Sequence, residues 1–176
     1  LPLPKVAVAA LVGAAVHQGH RLTGIKWWAS LRACQADGAR VGDLVAPTPL
    51  AGAQYSNWAL NLHSVESGVP GETGIFDQTV LFDKEPELKE AFAEMIHARD
   101  PAEPLWNEMD QTSEIRLFRQ LAQELEMGSL DPCRYSLRHA GASEDLLAKT
   151  RTLAEVKDRG GWTDDRSLKR SQHDDA

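Results

Sequence analysis

The stretch "CRYSLRHAGASEDLLAKT", from Cys133 to Thr150, predicts a helix whose start carries more chemistry than a cap requires. Helix starts favour a single Ser, Thr, Asp or Asn. Here a phenol, a guanidinium and an imidazole fall within five residues, at Tyr135, Arg138 and His139. Arginine binds phosphate with two parallel hydrogen bonds, and the free N–H groups of a helix start also attract anions. The stretch therefore favours an anion site at Arg138, with an ordinary structural charge as the alternative.

The charge of the chain limits the partners that such a site could take. The sequence has 176 residues, with 19 Lys and Arg against 26 Asp and Glu, a formal net charge of −7. Dedicated nucleic-acid binders are usually basic, so this balance counts against strong non-specific DNA binding. Nine basic and nine acidic residues follow from Asp131 onward, so the acidic excess lies in the first 130 positions. The C-terminal segment is thus neutral, which gives weak support to a polyanion partner; a solvated mixed-charge surface is the alternative.

No disulfide framework, metal site or membrane span is predicted. The two cysteines, Cys34 and Cys133, suit free buried thiols in a reducing compartment. Neither CxxC nor HxxxH spacing occurs. The longest apolar stretch, residues 6–16, is too short to cross a bilayer and predicts a buried helix. The chain begins "LPLPK" without Met or a secretory signal, which suits a domain cut from a longer chain.

Hydrophobic spacing predicts an α+β domain, mainly α-helical with one small antiparallel β-sheet. Apolar residues at helical spacing in "RLTGIKWWASLRACQ" are Leu22, Ile25, Trp28 and Leu31. Trp27 and Trp28 favour core over a binding platform. Helices are predicted at residues 4–16, 21–35, 85–98, 112–128, 133–149, 152–160 and 163–172. The fourth helix would start at Thr112 or Ser113, bury Ile115, Phe118, Leu121 and Leu125, and stop at Gly128.

The alternating segments "YSNWALNLH" (55–63) and "QTVLFD" (78–83) predict a β-hairpin. In the first segment Trp58, Leu60 and Leu62 are predicted to face the core. Thr152 and Glu155 have the spacing of a capping box at the start of the sixth helix.

The order of these features resembles the catalytic domain of tyrosine recombinases, the phage-integrase family, and looks most like divergent, transposon-derived eukaryotic copies. The sharpest part is "YSLRHAGASEDLLAKTRTLAEVKDRGGWTDDRSLKRS" (135–171), which matches the pattern His-x-x-Arg-His, a helix, "GW" and a closing Tyr. Upstream, "LRACQADGARVGDLVAP" (31–47) is similar to the Arg box of the family. On this comparison Arg32 is the first clamp arginine, Gln35 stands where Glu is usual, and residues 40–44 form a short strand. The resemblance covers residues 31–173.

The resemblance implies one recombinase-like catalytic domain over residues 1–176, truncated at both ends. The family cleaves and rejoins double-stranded DNA through a 3′-phosphotyrosyl intermediate, without a cofactor, in DNA recombination and integration, and often as an oligomer on DNA. Arg32, Arg138 and Trp162 would stabilise charge at the phosphate, an electrostatic role. Tyr135 replaces the first His of His-x-x-Arg and could still hydrogen-bond phosphate. The location implied is intracellular, and nuclear in a eukaryote.

Two substitutions predict an inactive copy. Glu72 stands where the hairpin Lys is expected, which removes the general acid and places an anion beside the phosphate. Ser171 stands where the nucleophilic Tyr is expected. Its hydroxyl is far less acidic than a phenol and is shorter by a ring, whereas reacting atoms must approach within about 3–3.5 Å. The sequence therefore predicts a pseudoenzyme that at most binds DNA.

Two alternatives stay open at this point. The first is a catalytically active recombinase that uses another nucleophile or a tyrosine of a partner. For this the chain offers only Tyr55, interpreted as hairpin packing, and Tyr135. The second is a helical protein-interaction domain without a DNA role, which the acidic charge and the missing lysine favour. His139 is interpreted as a packing residue and His173 as part of the tail.

Overall fold

The computed structural model describes residues 3–32, 37–47, 57–63, 77–83, 85–160 and 162. Within them the protein is α+β, mainly helical with a small antiparallel sheet, as predicted. The helices are α1 (Lys5–His17), α2 (Arg21–Ala29), α3 (Leu88–Ile96), α4 (Gln111–Glu124), α5 (Arg134–Leu147) and α6 (Leu153–Gly160). The strands are β1 (Leu44–Val45), β2 (Ala59–His63) and β3 (Asp77–Leu81).

The chain divides into two compact units. The helical unit comprises Leu1–Gln35 and Glu108–Ala176, and the sheet unit comprises Ala36–Asn107. All four of the described residues predicted for the site, Arg32, Tyr135, Arg138 and Trp162, belong to the helical unit.

The sheet unit contains the predicted hairpin, in which β2 and β3 pair antiparallel with Leu60 opposite Val80. Both side chains are buried. The ring of Phe92 on α3 lies 5.7 Å from Trp58 and 5.0 Å from Phe82, centroid to centroid. The alternation predicted for the first strand is only partly correct, because Ala59 is buried as well and Leu62 is half-buried.

The strand implied by the resemblance at residues 40–44 is only partly correct, because β pairing involves Arg40 and Leu44 but not the residues between them. A single 3₁₀ turn occupies Val41–Asp43, and pairing with β2 begins only at Leu44. The physical reason is local: the backbone N–H of Arg40 donates to Asp43 Oδ2 at 2.8 Å, which closes a turn in place of a strand.

The core of the helical unit is formed by α1, α2, α4 and α5 around Trp27. This side chain is fully buried and meets Phe118 edge to face, with ring centroids 5.0 Å apart. The predicted apolar stripe on α2 is therefore partly wrong: Ile25 is buried, but Trp28 is only partly so. The face of α2 that packs against the core carries Lys26 and Trp27, and both side chains are buried. Helix α1 is likewise buried along one face only, since Val6 is exposed.

Of the caps predicted for two helix starts, one is confirmed and the other is wrong. The predicted Thr152–Glu155 capping box is confirmed, with Glu155 N donating to Thr152 Oγ1 at 3.3 Å and Thr152 N to Glu155 Oε2 at 2.6 Å. At α4 the predicted cap is wrong. Asp110 caps this helix, and its Oδ1 accepts from Ser113 N at 2.7 Å. The helix also ends at Glu124, before Gly128, and leaves Leu125 exposed.

Candidate functional site

Arg138 and Trp162 lie in contact, although they belong to different segments of the sequence. Arg138 is on α5 and is 4 % exposed, between the buried residues Leu137 and Ala140 on either side. Its guanidinium carbon lies 4.5 Å from the centroid of the Trp162 ring. A guanidinium over an indole face is held by the ring quadrupole, and the attraction strengthens where water is excluded. The resemblance implies that Arg32, Arg138 and Trp162 gather at one phosphate; of these three, Arg138 and Trp162 are in contact here.

The indole N–H of Trp162 is buried without an acceptor among the described residues. The side chain is 8 % exposed. The backbone N–H of Trp162 donates to Lys157 O at 3.1 Å, so the residue is anchored to the end of α6. A buried donor that lacks an acceptor costs free energy, about 1–3 kcal/mol in proteins. Beside a buried cation, such a donor suits an anionic acceptor.

Two further aromatic side chains complete this cluster. The His139 ring stacks on Trp162 at 5.5 Å with an interplanar angle of 26°, and meets Tyr135 edge to face at 4.6 Å. Tyr135 is 41 % exposed and lies 6.0 Å from the guanidinium carbon of Arg138. The phenol is therefore the most exposed part of the cluster, whereas His139 packs between the two larger rings.

Arg32 is also buried against α5, but acidic side chains hold it. Its Nη2 lies 3.0 Å from Glu144 Oε2, and its Nη1 lies 3.0 Å from Asp145 Oδ1. The same Nη1 donates to Gly141 O at 3.5 Å. Arg138, Gly141 and Asp145 fall on one face of the helix because they are three and four residues apart. The residues of α5 that Arg32 contacts therefore lie about one to two helical turns from Arg138. Arg32 is thus a buried, ion-paired residue.

Sequence reasoning missed the two carboxylates that hold Arg32. Glu144 and Asp145 lie inside the quoted helix, and Asp145 falls on the face that carries Arg138. That spacing was the available signal. The ion pairs of Arg32 also depend on where the chain runs after α2, which the sequence alone does not show.

Gly141 explains how Arg32 comes so close to α5. A β-carbon built at this position would meet the backbone of Leu31, lying 2.6 Å from its carbonyl carbon and 3.0 Å from its α-carbon. Real side chains do not make such contacts with backbone, so only glycine allows α5 to approach the end of α2 here. The Gly in "HAGAS" is thus a packing requirement of the site.

A buried carboxylate fixes the start of α5. Glu114 on α4 accepts from Lys26 Nζ at 2.6 Å, from Trp27 Nε1 at 3.0 Å and from Arg134 Nη1 at 2.9 Å. This joins α2, α4 and the first residue of α5, which precedes Tyr135. Sequence reasoning missed Glu114 as well. Its spacing from Phe118 places it on the core face of α4, and that was the signal.

Some predicted residues lie outside the described residues: Glu72 and Ser171, together with Tyr55, His173, Cys34 and the seventh helix at 163–172. Cys133 is described, and the prediction that it is buried is wrong, because its thiol is free and exposed at the start of α5. Within the described ranges no group of three or more His, Cys, Asp or Glu side chains could hold a metal ion. In the same ranges, none of the helices has the length and apolar character needed to cross a membrane.

Comparisons of the chain with protein-family models, with curated proteins and with solved structures find no match.

Proposed function

We propose that the helical unit binds the phosphate backbone of duplex DNA through Arg138 and Trp162, as a tyrosine-recombinase-like domain that no longer cleaves DNA. One observation carries the proposal: a buried indole N–H that lacks an acceptor in the described part of the chain lies beside a buried guanidinium. The recombinase relationship itself rests on the sequence pattern at residues 135–171.

The donors at this site suit a phosphate oxygen. A guanidinium supplies charge-assisted hydrogen bonds, and an indole N–H adds one neutral donor. The Tyr135 phenol, which is partly exposed, could supply a further hydroxyl. Because the formal net charge of the chain is −7, its long-range electrostatics oppose the approach of DNA. Binding then depends on one or two phosphate contacts, and the slope of log K against log salt should be about −1 to −2.

Two residues that stand at catalytic positions of the family's sequence pattern explain why the domain would not cleave DNA. Ser171 offers a hydroxyl that is much less acidic than a phenol, and Glu72 cannot act as the cationic acid of the hairpin. Three further properties follow from the resemblance alone and stay predictions. They are an origin in DNA integration by a transposable element, assembly on DNA as a homo-oligomer, and a nuclear location.

Titration of a fluorescent mixed-sequence duplex at several salt concentrations, read by anisotropy, tests this proposal. Trp162→Phe keeps an aromatic ring over Arg138 and removes only the N–H donor. Arg138→Gln removes the cation. Arg119→Gln is the matched control, because Arg119 is exposed on α4 and the charge change is identical.

The first two variants should bind more weakly than Arg119→Gln, and Arg138→Gln should also lower the salt slope by about 1. Wild-type protein without salt-dependent binding, or all three variants equal to wild type, would refute the proposal.

An exposed apolar side chain favours the second candidate, a helical protein-interaction domain. Leu147, at the end of α5, is 73 % exposed, and Leu153 at the start of α6 is exposed as well. This function predicts that duplex DNA leaves the anisotropy unchanged at every salt concentration. It also predicts that Leu147→Lys abolishes capture of a protein partner and leaves the fold intact.

A further inference from the structure

The two carboxylates on Arg32 occupy the positions that phosphate oxygens take on an arginine. Arginine presents two N–H groups in a planar fork that fits either a carboxylate or a phosphate. In this protein Nη1 and Nη2 each have a carboxylate oxygen at 3.0 Å, from Asp145 and Glu144 respectively. An incoming phosphate would have to take the place of one of these oxygens.

The two acids differ in how firmly they are held. Asp145 is 4 % exposed in its side chain; its Oδ2 lies 3.3 Å from Arg151 Nε, and its Oδ1 accepts from Thr150 Oγ1 at 3.1 Å. Glu144 is 31 % exposed in its side chain, and its Oε1 lies 3.1 Å from Lys5 Nζ. Because an ion pair that reaches solvent is worth little, Glu144 is the acid that can leave. Removing Asp145 would instead leave buried cations without a counter-charge, which is strongly destabilising.

We propose that Glu144 is an internal competitor for phosphate at Arg32, so that this chain contains an autoinhibitory contact at its own DNA-binding site. The inference rests on the proposed function. The contacts of Arg32 on α5 lie about one to two turns along that helix from Arg138, so a DNA strand held by Arg138 runs past Arg32 and can bring a phosphate to it. When Glu144 remains on Arg32, Arg138 and Trp162 carry the phosphate contact. When Glu144 swings into solvent, Arg32 adds a second contact.

The test is duplex binding by Glu144→Gln, read by anisotropy at low salt. This substitution keeps the shape of the side chain and leaves Asp145 on Arg32. The affinity should rise about two- to fivefold, since a partly exposed ion pair contributes modestly. Glu126→Gln is the matched control, because Glu126 is exposed in the helical unit and the change in net charge is the same. Its affinity should rise less than that of Glu144→Gln.

Two further variants test whether the gain in DNA affinity depends on Arg32. Glu144→Asp retains the charge but shortens the side chain by one methylene, so it should also tighten binding. The double variant Arg32→Gln with Glu144→Gln should lose the gain of Glu144→Gln.

Equal gains in Glu144→Gln and Glu126→Gln would overturn the inference, because only net charge would then matter. So would a Glu144→Gln protein that binds like wild type or more weakly, or that unfolds at the assay temperature. If instead wild type and Arg138→Gln bind duplex equally, the proposed function itself has failed. If those two differ and Glu144→Gln gives no gain, only the autoinhibitory contact has failed.

Discussion

Replacing Gly141 with Ala should break the approach of α2 to α5 on which the site depends. The new β-carbon would lie 2.6 Å from the carbonyl carbon of Leu31 and 3.0 Å from its α-carbon, and still closer to its carbonyl oxygen. These are backbone atoms, so no side-chain rotation can relieve the contact. The end of α2, with Arg32, must move away from α5.

Two opposing free energies decide the size of the effect. In a helix interior Ala is favoured over Gly by about 1 kcal/mol. Overpacking a core costs about 1–3 kcal/mol, and more where the neighbour cannot yield. Because the neighbour here is backbone, we expect the upper end of that range, and a net loss of about 2 kcal/mol or more in the free energy of unfolding. The separation would also weaken the contacts of Arg32 with Gly141, Glu144 and Asp145.

Urea unfolding followed by far-UV circular dichroism measures this loss. Gly13→Ala is the matched control, because Gly13 lies inside α1 and a β-carbon there would have no atom within 4 Å. The same substitution should therefore raise stability at Gly13, by up to about 1 kcal/mol, and lower it at Gly141. A Gly141→Ala protein at least as stable as wild type would show that α2 and α5 do not pack as described.

Three other outcomes are expected. Glu114→Gln should lower the free energy of unfolding by about 3 kcal/mol in urea titrations, because it leaves the cations of Lys26 and Arg134 buried without a counter-charge; an unchanged midpoint would contradict this. A hydrogen bond from the backbone N–H of Ser113 lowers the pKa of Asp110 from its ordinary 3.8, so the stability that this cap contributes is present above pH 3.8 and is lost as the pH falls through the lowered value. Asp110→Ala should thus lower the melting temperature at neutral pH, Asp110→Asn much less, and the difference between wild type and Asp110→Ala should shrink in acid; a constant difference would argue against the cap. If the proposed function is correct, with Ser171 at the position of the nucleophile, a nicked suicide DNA substrate should give no SDS-stable protein–DNA band, whereas a band lost in Arg138→Ala would reveal an active enzyme.

Local patterns were sufficient for much of the fold. The span of α5, the hairpin of β2 and β3 and the capping box at Thr152 all follow from spacing and capping chemistry within a few residues. The resemblance placed Arg138 and Trp162, together with Arg32, at one phosphate, and nothing local to Arg138 or Trp162 points to the contact between them.

The features that sequence reasoning missed depend on long-range packing. Glu114 is buried because Lys26, Trp27 and Arg134 surround it, and these come from two other parts of the chain. Arg32 is paired with acids because Gly141 lets α5 approach the end of α2. The cap of α4 was misplaced by two or three residues because Thr112, Ser113 and Asp110 are all good capping residues, and sequence alone does not rank them.

The most direct test of the proposed phosphate site is the indole N–H resonance of Trp162 in ¹H–¹⁵N NMR spectra, assigned by its loss in Trp162→Phe. When the duplex is added, this proton should move downfield as it donates to a phosphate oxygen. The resonance of Trp27 should stay in place, because its indole already donates to Glu114 at 3.0 Å. A Trp162 resonance that does not move while the duplex binds, or a protein that binds no duplex at all, would contradict the account.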